Sequence, residues 1–558
     1  MKQIKFFIIG LPLFVLLSVS VRVAGQDENN FEISKNLDIY ATVLKELNIN
    51  YVDEIHPGSL VETSINSMLE TLDPYTVYIP EADIEDVRFI TTGEYGGIGA
   101  MIRKRGDYVI ISEPYEGKPA QLAGLKAGDK IIEIDGQSAK GKTTSEVSEI
   151  LKGQPGTKVT LLIEREGVEK PIKKEFTREN VKIDNIPYYG ILGDGYGYIK
   201  LTGFTQNAGN EVKKAFLELK KNNDLKGIIF DLRGNGGGLL QEAVNITNIF
   251  VDKGQLVVST KGKLESKNYS YKTRMAAVDT KIPLAVLVDD GSASASEIVT
   301  GAIQDLDRGV VIGQRTFGKG LVQNVIPLSY NAQMKVTVAK YYIPSGRCIQ
   351  EIDYSHKDKN GHSDKVADSL IRAFKTRNGR VVYDGGGIEP DIVVPGDTMS
   401  NLSYTLFVKY MFFDYASKFE REHDSIPAPD KFEVTDDIFN DFVNYISDKD
   451  YDYTTNCEKA LDDLKEAAED DKYFSSIKPE FDALQAKILE NKKGDLQRHK
   501  DEIKKILKFE IVTRYYYQKG RIIASLNNDE DINKAIEVLG DKPDYLAILG
   551  FSDSDEKN

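Results

Sequence analysis

A chain of 558 residues, 41% hydrophobic and 28% charged, is ordinary globular material with room for about three or four domains. Its net charge of −15 excludes nucleic acid as the main partner. Two distant cysteines, Cys348 and Cys457, exclude a disulfide framework or a zinc site, and no cluster of metal ligands is visible, so neither a metal nor a cofactor is expected.

Residues 1–25 have the form of an export signal. Lys2 and Lys5 precede an apolar run over residues 6–21, interrupted by Pro12, and Val23-Ala24-Gly25 offers small residues for cleavage. The run is short for a membrane span, and no cysteine follows it to carry a lipid. The expectation is an exported, periplasmic protein; attachment to the membrane by an uncleaved N-terminal segment is the alternative. Residues 26–92 read as a helical region. Ile39, Val43, Leu44 and Leu47 recur at helical spacing, as do Leu60, Ile65, Met68 and Leu69, until Leu72-Asp73-Pro74-Tyr75 breaks the pattern.

Residues 93–183 form a separate module. Gly96-Gly97-Ile98-Gly99 opens it, strands are expected over residues 100–102 and 108–111, and a glycine-punctuated run from Gly117 leads into Ile131-Ile132-Glu133-Ile134-Asp135-Gly136. A glycine turn leaves backbone N–H groups available to a carboxylate, and the edge of the next strand can add an extended peptide. The run resembles a PDZ domain. The resemblance implies that Gly97, Ile98 and Gly99 bind the C-terminus of a protein or peptide. A helix over residues 145–151 should flank the groove, with Val147 and Leu151 as pocket residues.

Residues 184–395 read as an α/β domain, with strands over 197–201, 227–230, 283–288 and 310–312 and helices over 208–221 and 240–249. Asp231-Leu232-Arg233 runs into Gly234-Asn235-Gly236-Gly237-Gly238, a glycine turn at a helix N-terminus and hence a place for an anion. Asp231 and Arg233 read as structural. Residues 290–323, DGSASASEIVTGAIQDLDRGVVIGQRTFGKGLVQ, put small hydroxyl residues where a strand hands over to a helix. The N–H groups there are unpaired and the helix dipole favours negative charge, which suits a nucleophile and its oxyanion.

A serine nucleophile needs a base. The five histidines all lie in polar or charged stretches. Lys319, flanked by Gly318 and Gly320 and close to apolar strands, is the alternative base, if burial keeps it neutral. The pattern does not choose among Ser292, Ser294 and Ser296. Residues 313–319 also fit the start of a phosphate-binding loop, but Gly320 stands where Ser or Thr is needed, and a strand rather than a helix follows.

GSASASEI followed by TFGKGLVQ resembles the C-terminal processing peptidases, whose nucleophilic serine stands 25 residues before the catalytic lysine. Counted from Lys319, that spacing gives Ser294. The resemblance further implies that Gln323 orients the lysine, that backbone N–H groups of Gly237 and Ala295 form the oxyanion hole, and that the N-terminal helices pair subunits into a homo-oligomer. Pro344-Ser345-Gly346-Arg347 and Gly387-Ile388-Glu389-Pro390-Asp391 resemble the same family.

Residues 357–364 are expected to be a polar, mobile loop. Residues 396–558 are charged, with helices expected over 456–469, 479–490 and 500–514 and a frayed tail over 550–558. Docking an adaptor protein and capping the protease core are the two roles open to this region.

The expected fold is therefore α/β and multidomain. A mixed α/β protease core (184–395) follows an inserted PDZ domain (93–183), between helical N-terminal (26–92) and C-terminal (396–558) regions. The expected activity is that of an exported serine endopeptidase with a Ser–Lys dyad, acting on protein substrates through their C-termini. The alternative is a catalytically inactive PDZ scaffold.

Overall fold

The computed structural model describes residues 10–222, 224–359, 361–396 and 398–551. The first nine residues of the expected export signal and residues 552–558 of the expected tail lie outside them. The described residues up to 78, with 334–336, form one compact unit, and the described residues of 79–333 and of 337 onward form the other.

In the first unit, the helices Gly10–Asn50 and Pro57–Glu70 realise the helical spacing of the sequence. Pro57 opens the second helix at a position where its missing N–H is no loss. After the helix, the Asp73 carboxylate accepts the N–H groups of Tyr75 and Thr76, both at 2.8 Å, and turns the chain. Ile39, Val43 and Leu47 stay exposed along the long helix. Among the described residues no helix is long and apolar enough to cross a membrane.

The PDZ module of the second unit is an antiparallel sheet. Its strands run in the order Ala100–Arg105, Tyr108–Pro114, Lys130–Ile134, Lys158–Glu164 and Ile172–Thr177, so Ala100–Arg105 is an edge strand. The helix Thr144–Leu151 begins with a capping box: the Thr143 N–H meets Glu146 Oε2 at 2.7 Å, and the Glu146 N–H meets Thr143 Oγ1 at 3.2 Å. Val147, expected in the peptide pocket, turns instead into the PDZ core with Val109, Ile111 and Leu161, because it lies on the inner face of this helix.

The α/β domain that follows is built on a six-stranded sheet. Tyr188–Leu192 pairs antiparallel with Tyr196–Lys200, and Gly227–Asp231, Leu284–Val288, Val310–Gly313 and Ile392–Val393 continue it in parallel. Its central strands are apolar throughout because both faces are covered. Ile228, Phe230, Val286 and Val311 pack under the helices Ala208–Asn222, Leu240–Phe250 and Ala295–Asp305. The alternating partners Ile229, Ala285, Leu287 and Ile312 pack under Ile532, Ala535, Val538 and Leu539 of the helix Glu530–Gly540. One face of this sheet is thus roofed by the C-terminal region.

Two further features depart from the sequence reading. Residues 357–364 are not a free loop; Ile352–Lys357 and Ser363–Lys365 pair as a hairpin, closed by the Asp358 N–H on His362 O at 2.8 Å. The C-terminal helices also grip the PDZ module. Arg105 forks onto Asp414 at 2.6 and 2.5 Å, and Lys126 meets Glu420 at 2.7 Å. The Arg103 guanidinium lies over the rings of Tyr410 and Phe413, at 4.5 and 4.1 Å.

Candidate active site

The strand Leu284–Val288 ends at Asp289, whose Oδ1 accepts the N–H groups of Gly234 (2.8 Å) and Gly291 (3.1 Å). This carboxylate staples the two glycine-rich turns together. Ser294 follows at φ 56°, ψ −110°, a region that non-glycine residues seldom occupy, and the helix Ala295–Asp305 starts immediately after it.

The three serines that the pattern left open have different surroundings. Ser292 and Ser296 are fully buried. The Ser292 hydroxyl donates to Leu232 O (2.9 Å) and accepts the Asp289 N–H (3.0 Å). The Ser296 hydroxyl donates to Asn235 O (2.8 Å). Ser294 is half-buried.

Lys319, also half-buried, lies on the segment between the strands Val310–Gly313 and Leu321–Pro327. Its glycine neighbours have a steric cause. A Cβ on Gly318 would stand 2.6 Å from Glu351 Cβ, and one on Gly320 would stand 2.8 Å from the Gln350 nitrogen. The Gln323 side chain donates to Thr337 Oγ1 at 3.1 Å.

Two residues that the sequence reading passed over tie these elements together. The Glu297 carboxylate, buried completely, accepts the N–H of Ser294 (2.8 Å) and that of Lys319 (2.9 Å) on one oxygen. Its other oxygen accepts Thr316 Oγ1 (2.6 Å) and the Gly318 N–H (2.7 Å). Burial pushes this carboxyl up to about 7, against the four donors that favour its charge. The Tyr341 hydroxyl lies 3.2 Å from Ser294 O and 2.6 Å from Lys319 O. The signal for Glu297 was present, since a glutamate three residues after a serine at a helix start is a capping pattern. Tyr341 left no local signal, because it comes from a distant strand.

The glycine turn meets the serine directly. Gly237 has φ +96°, and a Cβ there would lie 2.8 Å from Ala295 N and 2.9 Å from Ser294 Cβ. Its N–H, the oxyanion donor expected from the sequence, is directed instead to Asn235 Oδ1 at 2.9 Å. Among the described residues, the N–H groups of Gly236, Gly238 and Ala295 make no backbone hydrogen bond. No group of three or more His, Cys, Asp or Glu residues is placed to hold a metal ion, again among the described residues.

A sequence model of peptidase family S41 matches residues 195–356, a span that contains Ser294, Glu297, Lys319 and Gln323. The carboxy-terminal-processing protease of Bartonella bacilliformis is 36% identical over 357 residues, covering 63% of this chain and 81% of its own. This chain belongs to the S41 peptidases. Within it a PDZ-domain model matches residues 110–165, and a model of the C-terminal helical domain of a probable PDZ-protease matches residues 402–539. The carboxy-terminal processing protease CtpA of Bacillus subtilis is 29% identical over 475 residues, 83% of this chain and 99% of its own. A solved photosystem II D1 C-terminal processing protease aligns with 63% of this chain and 86% of its own, at 28% identity and a TM-score of 0.36.

In this S41 peptidase the Asp231-Leu232-Arg233 segment joins the catalytic sheet to its helical roof. Burial would raise the Asp231 carboxyl, but Lys200, Arg233 and the Tyr198 hydroxyl hold it well below the usual carboxylate range. Arg233 reaches onward to Asp529 (2.9 Å) and Asp531 (2.7 Å), at the start of the roofing helix. Arg233 thereby fixes the entrance of the glycine turn from both sides.

Proposed function

We propose that this S41 peptidase is a serine endopeptidase with a Ser–Lys dyad that selects substrates by their C-termini. The observation that carries the reading is the Glu297 carboxylate shared by the backbones of Ser294 and Lys319. One buried carboxyl group fixes the position of nucleophile and base relative to each other, which is the pre-organisation that covalent catalysis requires. Ser294 attacks the scissile carbonyl. Neutral Lys319 takes the hydroxyl proton and later returns it to the leaving amine, with Gln323 as its orienter. The oxyanion forms against the Ala295 N–H and an N–H of the 236–238 turn, where that of Gly238 is uncommitted.

The PDZ module presents Gly97, Ile98 and Gly99 beside the open edge of the strand Ala100–Arg105, where a substrate tail adds as a further strand. Export to the periplasm follows from the character of residues 1–25. Pairing of subunits follows from the exposed apolar positions Ile39, Val43 and Leu47.

Digestion of a loosely folded protein with a defined C-terminus tests the reading. The wild type should cut the free-acid form faster than the amidated form, and Ser294→Ala should cut neither. Turnover by Ser294→Ala at the wild-type rate refutes the dyad, and equal rates for the two termini below saturation refute tail selection.

A further inference from the structure

The helix Asn401–Val408 is apolar on two faces. Leu402 and Leu406 turn inward and pack with Phe412, Tyr415 and Phe442 in the core of the C-terminal region. On the other side stand Tyr404, Phe407 and Val408, whose spacing makes them neighbours on the helix surface. They are 60, 47 and 46% exposed. A helix that is hydrophobic all round normally lies buried, yet this one keeps an open stripe of large side chains.

The surroundings of the stripe say what covers it. Just after the helix, Tyr410 takes a left-handed backbone at φ 63°. Its ring lies against the Arg103 and Arg105 guanidinium groups, at 4.5 and 5.0 Å. Arg105 also forks onto Asp414. The far end of the PDZ edge strand Ala100–Arg105 is thereby joined to the end of this helix. The apolar cavity lined by Ile98, Ala100, Ile102 and Leu151 lies at the near end of the same strand.

A tail whose carboxylate sits at the glycine turn before Ala100 must run antiparallel to the strand. Its last six residues then pair with the six of the strand, and the chain upstream of them leaves past Arg105, beside Tyr410. The eight-residue helix is about 12 Å long, a distance that about four residues of extended chain span. We propose that the stripe of Tyr404, Phe407 and Val408 is a second substrate-docking surface, which holds an extended apolar segment roughly seven to ten residues from the substrate's C-terminus. The docking rests on the reading that the PDZ module binds C-termini. It favours unfolded chains, which alone expose apolar residues in extended form next to the tail, and it adds to the affinity of the tail because both contacts are made by one chain.

The test uses the full chain with Ser294→Ala, which holds a peptide without cutting it. Three labelled peptides share one six-residue tail with an apolar last residue: the tail alone, the tail preceded by four leucines, and the tail preceded by four serines. Each is titrated as free acid, by fluorescence anisotropy, against this protein and against the same protein carrying Tyr404→Gln and Phe407→Gln. Both positions are exposed, and glutamine is a good helix former. The tail alone is titrated as amide too. The leucine peptide should bind the parent about tenfold more tightly than the serine peptide and lose that advantage in the double variant, while the tail alone binds both proteins alike. A leucine advantage in both proteins, or in neither, overturns the docking; preference for the acid over the amide then leaves tail recognition standing. No preference for the acid overturns tail recognition and the docking with it.

A second readout leaves the stripe intact. A benzophenone at the eighth residue from the end of the leucine peptide, irradiated in complex with the parent, should crosslink within residues 399–410. Crosslinking confined to other segments overturns the docking. An oligomer of the parent that the double variant dissociates, read by sedimentation, assigns the stripe to a second copy and overturns it as well.

Discussion

Gly237→Ala probes the contact between the glycine turn and Ser294, the proposed nucleophile. The added methyl would lie 2.6 Å from Ala293 O, where ordinary contact begins at 3.4 Å, so something must move by about 0.8 Å. Neither side yields easily. The Ala293 N–H is held on Asn235 O at 3.0 Å, and the Ser294 N–H on Glu297 at 2.8 Å. The backbone at 237 is also left-handed, at φ +96°, which adds about 1 kcal/mol for alanine to the roughly 1–3 kcal/mol of overpacking. A displacement approaching 1 Å at a reacting centre costs on the order of 10²-fold in rate.

Acylation of Ser294 by a serine-directed probe, followed in single turnover, should therefore slow by about two orders of magnitude. Gly236→Ala, which points into open space, should acylate like the wild type and is the control. Thermal unfolding read alongside separates a displaced nucleophile from a collapsed fold. Acylation of folded Gly237→Ala within twofold of the wild-type rate refutes the reasoning.

The serines should separate into two classes. Ser294→Ala should lose about 10⁴ to 10⁶ in kcat with an unchanged unfolding midpoint. Ser292→Ala and Ser296→Ala should each lose roughly 1–3 kcal/mol of stability from a buried hydrogen bond yet still label at residue 294; labelling followed by mass spectrometry decides. Glu297 supplies a pH test. Its folded value of about 7 lies above the ordinary 4.5, so its contribution to stability is full below about 4.5 and is lost as pH rises through 7. Comparison of unfolding free energies at pH 5 and pH 8 should show the wild type's margin over Glu297→Gln shrinking at the higher pH. A margin that grows means that the four donors outweigh burial and the carboxyl stays ionised.

Continuous apolar runs such as residues 283–288 and 310–312 announced the central strands, since a strand buried on both faces has no polar alternation. Spacing and resemblance together singled out Ser294 and Lys319. The remainder of the site was less legible, because its determinants are non-local. Tyr341 reaches the site from a strand distant in sequence, and nothing near it in the chain marks a role. Gly237 was assigned a hydrogen bond, but the structure uses its missing side chain and gives its N–H to Asn235. The C-terminal helices read as solvated and amphipathic. That their apolar face belongs to the catalytic sheet could not be read without knowing that one side of the sheet was vacant.

The roof over that sheet also sets when both of its faces can first be covered. The strands it covers end at residue 393, whereas the covering helix spans Glu530–Gly540. At about 5–20 residues per second, synthesis separates the two by on the order of ten seconds. Until then Ile229, Ala285, Leu287 and Ile312 have no cover, and Arg233 lacks Asp529 and Asp531. The sheet that carries Ser294 and the segment of Lys319 is therefore covered on both faces only after nearly all of the chain has been made.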